Sequence, residues 1–369
     1  MLGLRSFTWR KAIALVLLGG AVYATWQWNT ARLRREFIAE IQQRGGRVGI
    51  GPIYPSGYRS GPSATFWDKI GAEFERWRTK ERLRSVEIPD LLSRRDAQRM
   101  QLLATIEKLE LREADDEALS ALPKLPKLET LRISSTQATD AGLTCLKQMP
   151  ELSDLELRGR GFTDAAPLVA HPKLAFVDVS ETAISETGLA SLIGCSRLIH
   201  FTADRIGVTG RELPTIPTSQ IAIFRCSLAG NPLTDQALAK LYAAPMIESV
   251  DASEIAHGPA ALAALAANRT LSELTLNDVR TDWDSLVEAL ASMTQLTDLS
   301  LEGARLKPEH LKRLLRLPKL ERLLLDRSTV TQEMYDKVIA ELNEKFDDGR
   351  HGRVIITHDT WLPRLDEPK

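Results

Sequence analysis

Histidine and cysteine side chains have the pKa values and donor atoms best suited to catalysis or metal binding. The six histidines are dispersed, and four of them fall in different segments of the chain: His171, His200, His257 and His310. None belongs to a nucleophile motif with serine or cysteine. His351, His358 and Asp359 lie closer together, but their spacing matches no common zinc ligand set. We therefore expect no catalytic site, no metal site and no cofactor.

Cysteines and a glycine-rich stretch are two other features that could support chemistry. The chain has three cysteines: Cys145, Cys195 and Cys226. Their spacing forms neither a disulfide framework nor a metal site, so we interpret them as small buried apolar residues. Gly46, Gly49 and Gly51 loosely resemble a phosphate-binding loop, but Pro52 follows where a helix should begin. No nucleotide site is expected there.

A repeated phrase of apolar residues occupies residues 83–325. Each copy has an apolar residue, two variable residues, an apolar residue, one variable residue and a third apolar residue. Eleven copies begin at Leu83, Ile106, Leu128, Leu152, Leu174, Leu198, Ile223, Ile247, Leu271, Leu296 and Leu320. They begin about 22–25 residues apart, and the last two apolar places of each alternate with a polar residue. This is the period of a short strand with one buried face.

A second phrase begins about eleven residues after the start of each copy and pairs Thr or Ser with an acid. Its clearest copies are Thr139 and Asp140, Thr163 and Asp164, Ser185 and Glu186, Thr234 and Asp235, and Thr281 and Asp282. A hydroxyl before an acid is a typical helix start, because both groups suit the exposed amides of a helix N-terminus. Each unit is therefore predicted to be strand, turn, short helix and turn, and only a stack of such units can bury its apolar side chains.

These copies resemble the leucine-rich repeats, and the helix starts resemble ribonuclease-inhibitor-like and bacterial membrane-anchored varieties. The resemblance covers residues 83–356. It implies an α/β fold, a right-handed solenoid or horseshoe with a parallel concave sheet and short convex helices. The Asn that usually follows the strand occurs only at Asn231. Thr136, Thr182, Ala304 and Ser328 hold that place elsewhere, so we predict a less rigid spine there.

The stretch at residues 12–28 contains no charged residue. As a helix it would span about 25 Å, slightly less than a hydrocarbon core of about 30 Å. Trp26 and Trp28 lie at its far end, where an aromatic belt would meet the membrane interface. We predict one N-terminal transmembrane helix and a single-pass membrane protein, with its orientation open. The alternative is a cleaved signal peptide and a secreted protein.

Charge and composition divide the chain into four parts. Residues 1–29 are a basic N-terminal tail and the anchor, and residues 30–82 are basic juxtamembrane helices and an N-terminal cap. Within the cap we predict a helix ending at Gly45 and Gly46, a strand at 47–50, and an aromatic-striped helix at 66–77. Residues 83–330 are the repeats, and residues 331–369 are a C-terminal cap helix, a strand and a tail. The net charge is +9 for residues 1–100 and −10 for residues 101–369.

Side chains at the third and fifth places of each copy should face outward on the sheet. The candidate partner-binding residues are Arg132, Asp154, Glu156, Phe176, Asp178, His200, Arg225, Asp251, Glu273, Asp298 and Arg322. Neighbouring acids such as Asp154, Glu156 and Asp178 should repel one another. A basic protein or peptide partner would relieve that repulsion, although any solvated strand face also needs polar residues.

The sequence thus favours a membrane-tethered interaction or scaffold protein that binds a protein or peptide on its concave sheet. We expect neither enzymatic activity nor a nucleic acid partner, because no corresponding motif is present. One alternative is a targeting or adaptor subunit of an enzyme complex, with the basic region at 30–100 docking the enzyme. Another is a structural spacer in the cell envelope.

Overall fold

The computed structural model describes residues 9–51, 82–195, 197–211, 213, 225–244, 247–325, 333–334, 336–337 and 353–356. The predicted aromatic-striped helix at 66–77 lies outside these residues, as do Ser328, His351, His358 and Asp359. Most of the predicted C-terminal cap helix also lies outside them.

The strands of the described residues form one sheet in which spatial order equals chain order. They are β1 (Arg47–Gly51), β2 (Arg82–Leu92), β3 (Lys108–Ala114), β4 (Thr130–Ser134), β5 (Asp154–Arg158), β6 (Phe176–Asp178), β7 (His200–Thr202), β8 (Arg225–Ser227), β9 (Ser249–Asp251), β10 (Glu273–Thr275), β11 (Asp298–Ser300), β12 (Arg322–Leu325) and β13 (Arg353–Ile356). The first strand is antiparallel to the second, and every later pair is parallel. Each repeat therefore adds one strand, as predicted.

The apolar residue at the fourth place of each copy points into one shared core. Leu131 pairs in register with Leu155, and Leu274 pairs with Leu299. All four side chains are at most 2% exposed and belong to a single apolar cluster. That cluster is continuous from Phe37 to Leu325, so no repeat has a core of its own.

Helices, all but the first of them short, form the second layer and contribute apolar side chains to the same core. They are α1 (Trp9–Gln43), α2 (Arg94–Arg99), α3 (Asp116–Ser120), α4 (Ala166–Ala170), α5 (Glu186–Ile193), α6 (Asp235–Tyr242), α7 (Pro259–Ala267), α8 (Trp283–Ala291) and α9 (Pro308–Leu314), with 3-10 turns at Met100–Leu103 and Gly142–Gln148. Consecutive repeat helices lie against each other, as α6 does against α7 and α7 against α8.

The predicted helix starts are confirmed at two places and wrong at others. Ser185 and Thr234 accept the amides of Gly188 and Ala237 as N-caps. Asp282, rather than Thr281, caps α8. After Thr139 the chain forms a 3-10 turn, and α4 begins after Thr163 without a side-chain cap. The hydroxyls of Thr139 and Thr163 instead bond to acids of the preceding repeat.

The spine that follows the strands is hydrogen-bonded through different residues in different repeats. Asn231 is buried; its amide donates to the carbonyls of Ala203 and Leu228, both at 2.8 Å, and accepts from an amide of the repeat before. In the β4 repeat the hydroxyl that bonds the neighbouring backbone belongs to Ser135 rather than Thr136, and it donates to the carbonyl of Ala114 at 2.6 Å. A hydroxyl one residue upstream thus also bonds the backbone of the preceding repeat, but at a different position.

Every repeat from β5 to β11 leaves its strand through one residue in the left-handed region. These residues are Gly159, Glu181, Arg205, Gly230, Glu254, Asp278 and Gly303, with φ between 52° and 134°. Glycine adopts this conformation without steric cost, whereas the four side-chain-bearing residues do so at a cost of about 1–2 kcal/mol each. The same turn is thus built with and without glycine.

The helix α1 is continuous across the predicted anchor and the juxtamembrane region. It ends as predicted: Gly45 has φ 86°, and the amide of Gly46 donates to the carbonyl of Ile41 at 2.9 Å. Phe37 and Ile41 are fully buried against the first repeats. Within the part of the chain that the structure describes, no helix combines the length and apolar character needed to cross a bilayer.

Candidate functional site

The outer face of the sheet carries two continuous rows of side chains. The first row comprises Lys108, Thr130, Asp154, Phe176, His200, Arg225, Ser249, Glu273, Asp298 and Arg322, which pair in register. The second row comprises Glu110, Arg132, Glu156, Asp178, Thr202, Ser227, Asp251, Thr275 and Ser300. All eleven candidate residues lie in these rows, so the structure places them on one face.

Four of the candidate acids on this face are paired with arginines, namely Glu156, Asp178, Glu273 and Asp298, which corrects the expected repulsion for these four. Asp154 and Asp251 accept hydrogen bonds from serines instead. Glu156 lies between Arg132, at 3.1 Å, and Arg158, at 3.3 Å. Arg158 also bonds Asp178 through two nitrogens at 2.6 and 2.7 Å. An arginine on a neighbouring strand removes the like-charge contact, so the acids alone give no reason to expect a basic partner.

The same pairing extends along the second half of the sheet. Glu273 accepts from Arg225, which is two strands away, at 3.1 Å. Asp298 pairs with Arg322 on the adjacent strand. The arginines of these ion pairs are exposed to solvent, so each pair contributes little to stability. Together these pairs give the face alternating positive and negative charges instead of a continuous row of acids.

Two of the predicted binding acids also maintain the backbone. Asp178 accepts hydrogen bonds from the backbone amide and the hydroxyl of Ser180. Burial raises the pKa of Asp178, but the bonds from Arg158 and Ser180 outweigh it and hold the pKa below its usual value. Asp251 accepts the same two bonds from Ser253. The hydroxyl of Ser253 in turn accepts the amide of Asn277 in the next repeat. Substituting either acid would therefore disturb the turn as well as the face.

The centre of the face is aromatic. Phe176 is 41% exposed, and its ring meets the ring of His200 edge to face, with the centroids 6.2 Å apart. Burial, and then the charge of Arg225, lower the pKa of His200, so its ring is neutral at pH 7. Together with Asp154 and Thr130 these residues line a shallow depression across β4–β7. An exposed aromatic ring inside a ring of charged groups is the arrangement of an interface anchor.

Cys145, Cys226 and His257 lie in the core rather than on this face. Cys145 and Cys226 are buried, which raises the pKa of each thiol to about 12. Tyr242 bonds the Nε2 atom of His257 at 2.6 Å inside the core. No group of three His, Cys, Asp or Glu residues among the described residues could hold a metal ion.

Sequence reasoning missed an arginine-lined depression at the carboxyl ends of β3–β7. Its charged lining comprises Arg112, Glu113, Arg158, Arg160, Glu181 and Arg205. The available signal was the Arg-Gly-Arg-Gly run that begins at Arg158, directly after a strand. The side chains of this run come together with Arg112 and Arg205 only because the strands are in register.

Neither a family model nor a curated protein matches the chain. Among solved structures it is similar to internalin C2 of Listeria monocytogenes, at 20% identity and a TM-score of 0.40, covering 57% of this chain and 83% of that one. It is also similar to TLR13 from the TLR13–ssRNA13 complex, at 18% identity, a TM-score of 0.45 and coverage of 73% and 37%. A third similarity, to the APL1 leucine-rich repeat domain, has 17% identity, a TM-score of 0.39 and coverage of 65% and 60%. These similarities concern the fold alone.

Proposed function

Because the chain is a leucine-rich-repeat solenoid, we propose that it is an interaction protein that binds a protein or peptide on the outer face of its sheet. The observation that carries the proposal is the exposed Phe176–His200 pair at the middle of two in-register polar rows. An aromatic residue contributes most when it is fully desolvated by a partner, while surrounding charged groups fix orientation. The alternating charges favour a partner of mixed charge over a purely basic one.

The experiment uses the Phe176→Ala variant of the full chain as bait. Affinity purification from the native membrane and soluble fractions, followed by quantitative mass spectrometry, should lose a specific partner that the unchanged chain retains. Loss of a hot-spot aromatic residue costs about 2 kcal/mol or more in binding, or about thirtyfold in affinity. Recovery of every partner at the same level would contradict the proposal.

Leu91→Ala provides a matched control, because Leu91 is a similarly exposed apolar residue, at 45%, on β2 rather than at the aromatic centre. It should leave partner recovery unchanged. A partner lost equally from both variants would indicate general hydrophobic capture and not binding at the Phe176–His200 pair.

We further propose that residues 12–28 of α1 tether the protein to a membrane. Large apolar residues on this helix are 59–64% exposed, namely Leu18, Val22, Tyr23, Trp26 and Trp28. Apolar surface of this kind needs another covering, and Trp and Tyr favour the headgroup interface. Recovery of the intact full chain in the soluble fraction would contradict this part of the proposal. N-terminal sequencing would reveal the alternative, a secreted protein whose signal peptide has been cleaved.

The adaptor hypothesis has less support. It needs the basic region at 30–100 to be available for docking an enzyme. Part of this region packs against the solenoid instead. Phe37 and Ile41 are buried there, and the guanidinium of Arg99 stacks on Phe37 at 4.2 Å from the ring centroid. Residues 52–81 of the same region lie outside the described residues.

A further inference from the structure

We propose that the arginine-lined depression at the carboxyl ends of β3–β7 binds an acidic, extended peptide segment. This site is separate from the Phe176–His200 pair, so it can fail or hold independently of the function proposed above. Its four arginines are Arg112, Arg158, Arg160 and Arg205, and Ser134 and Thr136 add hydroxyls to the lining. The lining acids are Glu113 and Glu181, so the charged side chains of the lining itself sum to +2. Three of the arginines also pair with carboxylates just outside the lining, whereas within the described part of the chain Arg160 does not.

Arg160 is the centre of the site. Its guanidinium donates to the carbonyls of Thr182 at 2.7 Å and Arg205 at 3.3 Å, and it is exposed. A guanidinium has five N–H donors, so three remain. Among the described residues no carboxylate lies within ion-pair distance of Arg160. The positive charge is thus held in place by neutral groups and is available to an anion.

Two of the neighbouring arginines are positioned but remain accessible, whereas Arg158 is half-buried and already paired with Glu156 and Asp178. Arg112 bonds Glu87 at 2.7 Å and Arg205 pairs with Glu254, and both side chains are 55% exposed. Arginines in exposed pairs can be shared with an incoming carboxylate at little cost, because such pairs are weak in water. Bidentate guanidinium–carboxylate contacts then give the stronger, oriented bonds.

Backbone geometry supports a site at this position. Gly159 leaves no room for a side chain, since a Cβ there would lie 1.9 Å from the carbonyl oxygen of Ser135. The floor of the depression is therefore backbone. Glu181 and Arg205 occupy the equivalent left-handed position in the next two repeats, at φ 59° and 52°, so their side chains flank this backbone floor.

The dimensions select an extended peptide over a single phosphate group. The depression crosses β3–β7, which are four inter-strand steps of about 4.8 Å, or about 19 Å in total. An extended chain covers that length with about six residues and points every second side chain the same way. Carboxylates on one side of the peptide would then face the arginines, which stand at the ends of β3, β5 and β7. The acidic repeat body disfavours non-specific uptake of such a peptide.

The test measures fluorescence anisotropy of a labelled peptide of alternating glutamate and serine, titrated with the full chain at low salt. Arg160→Gln should weaken binding about tenfold, the usual effect of one charge-assisted contact. The double variant with Arg112→Gln should weaken it further. A peptide of alternating lysine and serine should not bind.

Arg197→Gln is the matched control. Arg197 also donates to two backbone carbonyls, those of Val169 and His171, but does not line the depression. It removes the same charge and should leave affinity unchanged. Glu181→Gln removes a lining acid and should strengthen binding, a gain that misfolding cannot produce. Wild-type affinity in Arg160→Gln, equal loss in Arg197→Gln, or no gain in Glu181→Gln would each overturn the proposal.

Discussion

At the scale of single residues, the position five places after the start of each strand decides how the chain leaves the sheet. From β5 to β11 that residue has a positive φ. At Gly159 the left-handed backbone coincides with a close approach of the neighbouring repeat. The side chain of Arg205 lies over Gly230 and pairs with Glu254 in the repeat beyond it. Because Gly230 has no Cβ, there is room for the arginine of the preceding repeat.

The first prediction concerns Gly159→Ala. The new Cβ would overlap the Ser135 carbonyl oxygen, which belongs to the sheet-bound backbone and cannot move freely. We expect a loss of about 3 kcal/mol or more in the free energy of unfolding, measured by urea denaturation. A loss below about 1 kcal/mol would mean that the two repeats are not in this register.

The second prediction concerns Glu181→Gly, which should raise stability. Glycine removes the left-handed strain of about 1–2 kcal/mol but adds unfolded-state entropy worth about 0.5–1 kcal/mol. The expected net gain is about 0.5–1 kcal/mol, also measured by urea denaturation. Glu181→Ala keeps the strain and serves as the control, for which no gain is expected.

The third prediction concerns pH. Burial lowers the pKa of both His171 and His257 from 6.5, although backbone hydrogen bonds to Met149 and Ile255 oppose the shift. The folded state therefore binds fewer protons than the unfolded state as pH falls below about 6.5. Stability present above pH 6.5 should decline as the pH falls toward the folded pKa values. Urea denaturation between pH 8 and 5, at intervals of about one unit, tests this.

His257→Gln is the informative variant for that measurement. Glutamine can still bond Tyr242 but does not titrate. The variant should show a smaller loss of stability between pH 7 and 5 than the unchanged chain, whatever its stability at pH 8. Identical pH slopes for the two chains would rule out His257 as a contributor.

At the scale of elements, an acid in one repeat caps the helix start of the next. Asp235 accepts three amides of the following repeat, those of Gly258, Ala260 and Ala261, at 2.9–3.0 Å. Equivalent acids in other repeats each accept two backbone amides of the next repeat, namely Asp116, Asp140 and Glu186. The sequence correctly placed acids at helix starts but assigned them to their own helix.

The fourth prediction follows from this contact. Asp235→Ala leaves three amides at the start of α7 without a charged acceptor. We expect a loss of about 2 kcal/mol, the upper range for a helix cap. Gln236→Ala changes the exposed neighbour and should have an effect below about 0.5 kcal/mol. Hydrogen exchange should locate the loss in α7, and a loss confined to α6 would contradict the inter-repeat cap.

At the scale of the whole molecule, the solenoid depends on a covered first repeat. The end of α1 supplies Phe37 and Ile41 to the core. Two ion pairs fix it, Arg99 to Glu40 at 2.5 Å and Arg44 to Asp96 at 2.8 Å. The exposed part of the helix and the repeats are thus joined without a flexible linker at this point.

The fifth prediction concerns that cover. A chain starting at residue 46 should expose the first repeats, because a repeat stack needs a capped end. Amide hydrogen exchange should increase in β2 and β3 while β9–β11 stay protected, since each repeat contacts only its neighbours. A chain starting at residue 34 keeps the buried side chains and should remain protected throughout. Uniform exchange increases in both chains would contradict this local dependence.

The sequence by itself determined the repeat, the strand positions and the inward residues. Side chains alternate between the two faces of a strand, so the apolar pattern alone predicts that Leu131 and Leu274 are buried. It also located the outward candidate residues. Only the tertiary structure decided what those residues contact. Arg158 meets Asp178, and Asp235 meets the next helix, through partners about 20–25 residues away. Such pairings depend on which strands are adjacent and in which register, which no single repeat encodes.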